Sequence, residues 1–273
     1  MMAWTNTFNE DPPASPWIAE SMRLTAIYPE AAQVAAQPIW QPTTGMEPEN
    51  QNSQPRKLFY ENGTWRGRKL EVVSAETRLD WNYTAIQPAP APSNPSAPPS
   101  VPLAPRPVFM GDFLSVMEDF SQVAASWLAI ATRPMHRIAL GLALVQPIND
   151  RPTGYALMGR YLPSVQLDGA NSRDFIYQIN RPRTVNIGGR QITINRLLVW
   201  NSVIYMGAEM NVNLSGTRAT SQALEPLDQV IRVQMDLNTS AEFEGTIDSP
   251  TACEIFEVMR GYAVEIGERG DIP

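Results

Sequence analysis

The sequence has very few side chains that carry reactive chemistry. Among 273 residues there is one cysteine, Cys253, and one histidine, His136. A single thiol excludes an internal disulfide and a thiolate metal cage, and it fits a reducing compartment. With no second histidine to share a metal, His136 is expected to be structural. Cys253 has only His136 as a base anywhere in the chain, so we expect an inert thiol.

The sequence also lacks a long apolar run, and no leader is expected at its start. The most apolar stretch, Ile138 to Val145, is too short to span a bilayer and is followed by Pro147. Residues 1–13 have neither a basic start nor an apolar segment, which is not the pattern of a signal peptide. Both observations predict a cytoplasmic protein.

Lysine is scarce. Only Lys57 and Lys69 are lysines among 21 basic residues, and the formal net charge is −7. This charge is typical of a soluble protein and argues against nonspecific affinity of the whole chain for nucleic acid. The preference for arginine, together with frequent alanine and proline, indicates a GC-rich bacterial genome.

A proline-rich stretch divides the chain. Pro88 to Pro107 can join neither a helix nor a central strand, because proline lacks the N–H donor. We expect a polyproline II spacer between an N-terminal β-rich half, 1–87, and a C-terminal α+β half, 108–273. A docking site for a polyproline-recognising module is the alternative, but a plain connector is favoured.

In the N-terminal half, alternating apolar residues predict a strand at 17–28 and a meander over 58–83. A short helix is expected at 31–36 and a loop at 45–55. Asn62-Gly63 is the residue pair that a type I′ turn requires, so a hairpin is predicted there.

The C-terminal half combines both periodicities. Apolar residues at spacings of three and four predict helices at 109–130 and from Ser249 or Asp248 to Gly267 or Gly270, with a short helix at 155–162. Strands are expected at 135–146, 175–180, 185–187, 191–195, 196–214 and 231–237, with a hairpin turn at Gly188-Gly189 and a loop at 216–227. The predicted fold is α+β, mainly an antiparallel sheet with two long amphipathic helices, and the order of elements suggests two similar halves.

Basic residues gather at two predicted hairpins and are the candidate nucleic-acid-binding residues. Arginine beside an aromatic side chain suits phosphate contact and base stacking, and Trp65 adjoins the first group. Glu61 and Glu71 interrupt that group, and a charged edge that prevents sheet aggregation explains both groups equally well. The candidates are Arg66, Arg68, Lys69, Arg181, Arg183, Arg190 and Arg196.

Motifs for catalysis are absent from the sequence. It contains neither a Gly-x-Ser-x-Gly elbow nor a Gly-x-x-x-x-Gly-Lys phosphate loop. We therefore assign no catalytic, cofactor-binding or metal-binding residues. A hydrolase using Asp80, Asp174 or Asp236 is the least favoured hypothesis, since buried carboxylates also serve structure.

Four segments of the chain, 137–147, 175–182, 194–197 and 235–239, resemble a sporadically distributed family of uncharacterised bacterial α+β proteins. In that family a late strand ends in Leu-Asp-Ile-Asp and an earlier strand carries Arg-x-Asn, whereas here the strands read Met-Asp-Leu-Asn and Ile-Asn-Arg-Leu. The resemblance implies a fold but no activity.

The sequence thus favours a non-catalytic binding subunit or adaptor in a larger bacterial assembly, with phage defence as one setting. Its abundant Trp and Tyr suit interface anchors. The expected partners are other protein subunits or a second copy of the chain, without a membrane. A nucleic-acid-binding component that uses the arginine-rich hairpins is the alternative.

Overall fold

A computed structural model gives the fold, and it describes residues 16–29, 38–54, 58–87, 100–102, 107–207, 209–212, 219–221 and 225–273. The expected helix at 31–36 lies outside these residues. So does most of the expected linker, apart from 100–102 and 107.

The described residues form four helices and fourteen strands. The helices are α1 Trp40–Thr44, α2 Phe113–Ile130, α3 Arg151–Tyr161 and α4 Ser249–Arg269. The strands are β1 Ile18–Ile27, β2 Asn50–Gln54, β3 Leu58–Trp65, β4 Arg68–Ala75, β5 Arg78–Thr84, β6 Ser100–Pro102, β7 Gly111–Asp112, β8 Arg137–Pro147, β9 Ile176–Asn180, β10 Arg183–Ile187, β11 Arg190–Gly207, β12 Glu209–Val212, β13 Ala219–Ser221 and β14 Glu225–Thr239.

One large sheet organises the structure. Its strand order is β10-β11-β14-β8-β1-β5-β4-β3-β2, with β7 also paired to β1 and β9 also paired to β11. The small strands β13, β12 and β6 form a second sheet. Every described strand pair is antiparallel, so the predicted α+β class with a mainly antiparallel sheet is confirmed.

The hydrophobic core lies between the helices and one face of the large sheet. Successive side chains of a strand point to opposite faces, so every second residue of the central strands enters the core. Leu24 of β1, Leu140 of β8 and Val233 of β14 are fully buried there. α2 and α4 pack on each other above the sheet, and α3 covers β11 and β14.

Strand β1 connects the two parts of the chain, because it pairs with β5 on one side and with β8 on the other. α2 also contacts both β1 and α1. Strands from before and after the proline-rich stretch therefore share one sheet. The domain boundaries and the two similar halves stay predictions.

The hairpin turn predicted at Asn62-Gly63 is wrong. Both residues lie inside β3, and the turn is at Arg66-Gly67, where φ is 47° and 74°. A Cβ on Gly63 would lie 3.0 Å from the Trp40 ring. Gly63 is therefore required for space beneath the indole and not for a positive φ.

Other expected boundaries shift for local reasons. α2 begins at Phe113 and not at 109, because the Asp112 carboxylate caps it by accepting a hydrogen bond from the Ser115 N–H. The expected loop at 45–55 contains β2, which is a polar edge strand. The expected loop at 216–227 contains β13 and the start of β14. α4 passes through Gly267 and ends at Gly270, where φ is 78°.

Candidate functional site: the open face of the sheet

The face of the large sheet opposite the helices is the candidate site, and we call it the open face. In the part of the chain that the structure describes, all four helices lie on the other face. The open face takes Ser21, Arg23 and Thr25 of β1, and Gln234 and Asp236 of β14, by the alternation of strand side chains. Its polar residues continue across β5, β4 and β3.

Small residues form a trench at the middle of the open face. β8 places Ala139, Gly141 and Ala143 there, between the longer side chains of β1 and β14. Gly141 pairs with Arg23 on one side and with Asp236 on the other. The three small residues span about 14 Å at about 3.4 Å per residue.

The trench encloses a depression of about 360 Å³. Its floor is apolar, with Gly141 and Ala143 beside Leu197 and Val199 of β11. Its rim is polar and carries both signs of charge. The rim residues are Ser21, Arg23, Asn82, Thr84, Arg232, Gln234 and Asp236.

Ion pairs and hydrogen bonds fix the rim at both ends. At one end the Arg232 Nε donates to the Glu20 Oε2 at 2.6 Å, and the Tyr205 hydroxyl donates to Glu20 Oε1 at 3.1 Å. Both ionic side chains are more than three-quarters buried, with exposed fractions of 20% and 24%. Charged groups held in this way do not need to reorganise when a ligand arrives.

At the other end Asp80 is the centre of a network. It accepts hydrogen bonds from the Arg78 Nε at 2.6 Å and from the Thr25 hydroxyl at 2.5 Å. Arg23 stands 4.0 Å away and remains 47% exposed, so its guanidinium retains donors for a partner. The hydrogen bond to Asp80 raises the pKa of Arg78.

A ladder of polar side chains extends from the trench toward β2. Asn82, Glu71, Asn62 and Asn50 occupy one lateral row through successive strand pairs. The Tyr60 hydroxyl donates to Glu71 Oε2 at 3.0 Å, and the Asn50 amide donates to Asn62 Oδ1 at 3.1 Å. The open face is thus ordered by its own hydrogen bonds.

The first group of predicted nucleic-acid-binding residues is largely engaged by the chain itself. Arg66 donates to Asp119 at 2.6 Å and Arg68 donates to the same carboxylate at 2.9 Å, which fastens the β3–β4 hairpin to α2. Lys69 lies on the open face and pairs with Glu71 at 3.1 Å.

The second group converges on the residues that follow α4. Arg181 forms a bidentate pair with Asp271 at 2.5 and 2.9 Å. Arg183 contacts Glu265 at 2.9 Å and the Pro273 carbonyl at 2.6 Å. Arg196 is 2% exposed and donates to the Ile272 carbonyl at 3.2 Å. Burial, with a contribution from the nearby Arg183, lowers the pKa of Arg196.

The two groups are not brought together. β4 and β11 stand five strand steps apart in the sheet, which is about 24 Å at about 4.8 Å per step. Arg190 joins neither group, because it donates to the Thr246 carbonyl at 3.0 Å and lies over the Phe243 ring. Their role in binding nucleic acid stays a prediction.

The carboxylates of the hydrolase hypothesis also lie apart. Asp236 on β14 and Asp80 on β5 are three strand steps apart, about 14 Å. Paired carboxylates in glycoside hydrolysis stand at most about 9.5 Å apart. Asp174 lies in the loop before β9, with a φ of 54°. The backbone spacing of Asp80 and Asp236 therefore does not indicate a carboxylate pair.

Remaining reactive groups do not cluster. Within the described ranges, no three or more His, Cys, Asp or Glu side chains are arranged to hold a metal ion. Burial raises the pKa of the Cys253 thiol, which disfavours the thiolate. None of the described helices has both the length and the apolar character that a membrane crossing requires.

Two features of the structure were missed from the sequence. The trench has a signal in the sequence, because small residues alternate with large ones along 138–144. Glu61 is fully buried, and its Oε2 accepts the backbone N–H groups of Ile39 and Trp40 at 2.9 and 2.8 Å. The side chain of Glu61 points inward because successive residues of β3 alternate between the two faces of the sheet. A hairpin turn at Asn62-Gly63 is inconsistent with a strand that continues through this position.

Comparison with known proteins adds no family. No protein-family model, curated protein or solved structure matches the chain. The resemblance noted from the sequence stays a prediction, and the function rests on the geometry of the open face.

Proposed function

We propose that this protein is a non-catalytic binding subunit or adaptor of a larger bacterial assembly, and that another protein subunit docks on the open face. The trench at the centre of this face is the single observation that carries the proposal. Phage defence as the setting stays a prediction of the sequence.

The trench has the form of a pocket for one large anchoring side chain. Interface energy concentrates in central pockets that exclude water, while the surrounding polar rim supplies register and specificity. The Arg23 guanidinium lies 3.7 Å from the position that a Cβ would take at Gly141, so an incoming ring displaces it to reach the backbone. Asn82 and Asp236 offer hydrogen-bond partners at the rim. We therefore propose a partner that inserts a tyrosine or tryptophan.

The charges of the rim set the chemistry around that anchor. Arg23 keeps free donors, whereas Arg232 is already paired with Glu20. Asp236 accepts a hydrogen bond from the Asn238 amide at 3.0 Å and lines the opposite wall. A matching partner surface carries a carboxylate toward Arg23 and a basic group toward Asp236, since complementary potentials determine register.

The test uses two substitutions at one position. A Cβ at Gly141 would meet Arg23 at 3.7 Å, which is ordinary contact, so Gly141→Ala is the control that preserves the trench. Gly141→Gln fills it without adding charge. The tagged protein is purified from native cells, the co-purifying subunit is identified, and the complex is rebuilt from purified components.

We expect Gly141→Gln to weaken the rebuilt complex by about 30-fold, which corresponds to about 2 kcal/mol, and Gly141→Ala to leave it within about threefold. Equal affinity of the two variants contradicts docking in the trench. A chain that remains without a partner in native cells contradicts the proposed function.

The nucleic-acid alternative has its own measurement. Phosphate contacts release counterions, so an electrophoretic mobility shift must weaken steeply as salt rises. The absence of any shift at low salt excludes it. The ion pairs of Arg66, Arg68, Arg181 and Arg183 with acidic residues of the same chain favour the protein partner over this alternative.

A further inference from the structure

The two lateral edges of the large sheet differ in how they are protected. One edge is formed by β9 and β10, which follow each other along β11. Pro182 separates these strands, and Arg181 and Arg183 flank it. Proline and charge are the devices by which proteins prevent a sheet edge from pairing with another chain.

The other edge is β2, and its prolines and charges, such as Pro48, Glu49 and Pro55, lie before and after the strand and not within it. Asn50-Gln51-Asn52-Ser53-Gln54 contains neither a charge nor a proline. The side chains of 50–53 are exposed, and within the described part of the chain β2 pairs with β3 alone. None of the described residues pairs with its outer row of backbone N–H and C=O groups, and such a row is a template for a further strand.

We infer that a second copy of this chain pairs with β2, antiparallel and around a two-fold axis at Asn52, so that two large sheets join edge to edge. Addition of a strand to an open edge is a common mode of protein recognition, in which the backbone hydrogen bonds supply affinity. A two-fold interface places the same surface patch of both copies in contact.

The side chains of β2 are complementary to themselves in this register. Gln51 opposes Ser53 of the second copy, and Asn52 opposes Asn52. An amide both donates and accepts hydrogen bonds, so each of these pairs is satisfied by an identical strand.

The charges beside β2 select the antiparallel direction. Glu47 and Glu49 precede the strand in the sequence. Parallel pairing would set these acidic residues beside their own counterparts in the second copy, whereas antiparallel pairing places them at opposite ends of the interface. Like charges directly opposite one another destabilise a strand pair.

The experiment places a charge on the two-fold axis. In Asn52→Lys and in Asn52→Asp, identical charges meet across the interface, so we expect each variant to be monomeric by sedimentation equilibrium while the wild-type chain is a dimer. Mixing the two variants in equal amounts pairs opposite charges. We expect a heterodimer, detected by native mass spectrometry, that weakens as salt rises.

A matched control lies at the opposite edge. Thr184 of β10 is exposed, and Thr184→Lys is expected to leave the dimer intact. Circular dichroism and urea unfolding show that each variant is folded, so that a monomer is not mistaken for a misfolded chain. A wild-type chain that is monomeric at all concentrations overturns the inference. A dimer of Asn52→Lys, or a mixture that fails to associate, also overturns it.

Discussion

The buried carboxylate of Asp271 holds the segment that follows α4. The substitution Asp271→Asn tests how much this carboxylate contributes to the free energy of unfolding. Asp271 has no exposed side-chain surface, whereas the paired Arg181 side chain is 28% exposed. Besides the two bonds from Arg181, the Tyr177 hydroxyl donates to Oδ2 at 2.8 Å. The substitution keeps the shape of the side chain, removes the charge, and turns one acceptor into an amide donor that faces an Arg181 donor in either orientation.

The expected loss follows from these contacts. Removing one partner of a buried ion pair costs about 3–5 kcal/mol, because the other charge is left uncompensated. Arg181 can be hydrated once it is released, so the lower part of this range applies. We expect Asp271→Asn to lower the free energy of unfolding by about 3 kcal/mol.

Urea unfolding followed by tryptophan fluorescence measures this difference. Glu257→Gln is the control, because the Glu257–Arg260 pair lies on the exposed side of α4, with side chains 52% and 39% exposed. Exposed pairs of this kind contribute about 0.2–1 kcal/mol. If Asp271→Asn costs no more than Glu257→Gln, the assignment of the arginine group as a clasp on the C-terminal segment is wrong.

Two further predictions concern the same region. Gly270→Ala is expected to destabilise the protein by at least about 1 kcal/mol, because φ is 78° and the added Cβ would strike the Tyr161 carbonyl. Gly261→Ala is the contrasting change, because a Cβ there meets nothing within 4 Å. In the same urea assay it should stabilise α4 by about 0.5–1 kcal/mol. Equal effects of the two changes would contradict the packing of the segment on α3. Burial raises the pKa of Asp271, but the hydrogen bonds from Arg181 and Tyr177 outweigh it and hold that pKa below its ordinary value. The contribution of the Asp271 carboxylate to the free energy of unfolding is therefore complete above about pH 4 and is lost as the pH falls through the lowered pKa. Between neutral and acid pH, the Asp271→Asn variant should therefore lose less stability than the wild-type chain. Identical pH profiles would show that Asp271 does not stabilise the fold as an ion.

The elements with strong local patterns could be predicted from the sequence. The alternation of Met22, Leu24 and Ala26 indicated β1, and the structure buries all three. The Gly188-Gly189 turn has φ values of 57° and 79°, as a hairpin between β10 and β11 requires. These features depend on backbone preference and on one-sided burial, which neighbouring residues reveal.

The turn of the first hairpin could not be predicted in this way. The local rule selected Asn62-Gly63, but Gly63 is explained by Trp40, a residue that lies far away in sequence. The true turn uses Arg66, which adopts a positive φ that non-glycine residues seldom adopt. Contacts of Arg66 with Asp119 and Gln122 of α2 hold that turn, and no local pattern shows them.

The candidate site was predictable only in its residue types. The scarcity of His and Cys favours binding over catalysis. The arginines predicted to bind nucleic acid, however, are largely paired with acidic residues such as Asp119 and Asp271. Ion pairs between residues distant in sequence depend on the order of strands, which the sequence pattern did not specify. The trench arises in the same way, because Gly141 becomes its floor only when β1 and β14 flank β8.

The most direct test of the open face is site-specific photo-crosslinking in native cells. A photoreactive residue at Gln234, which is exposed beside the trench, is compared with one at Glu118, which is exposed on α2. We predict that the Gln234 probe captures one defined protein subunit and that the Glu118 probe does not. Capture of the same subunit by Glu118 alone, or by neither probe, would contradict docking on the open face.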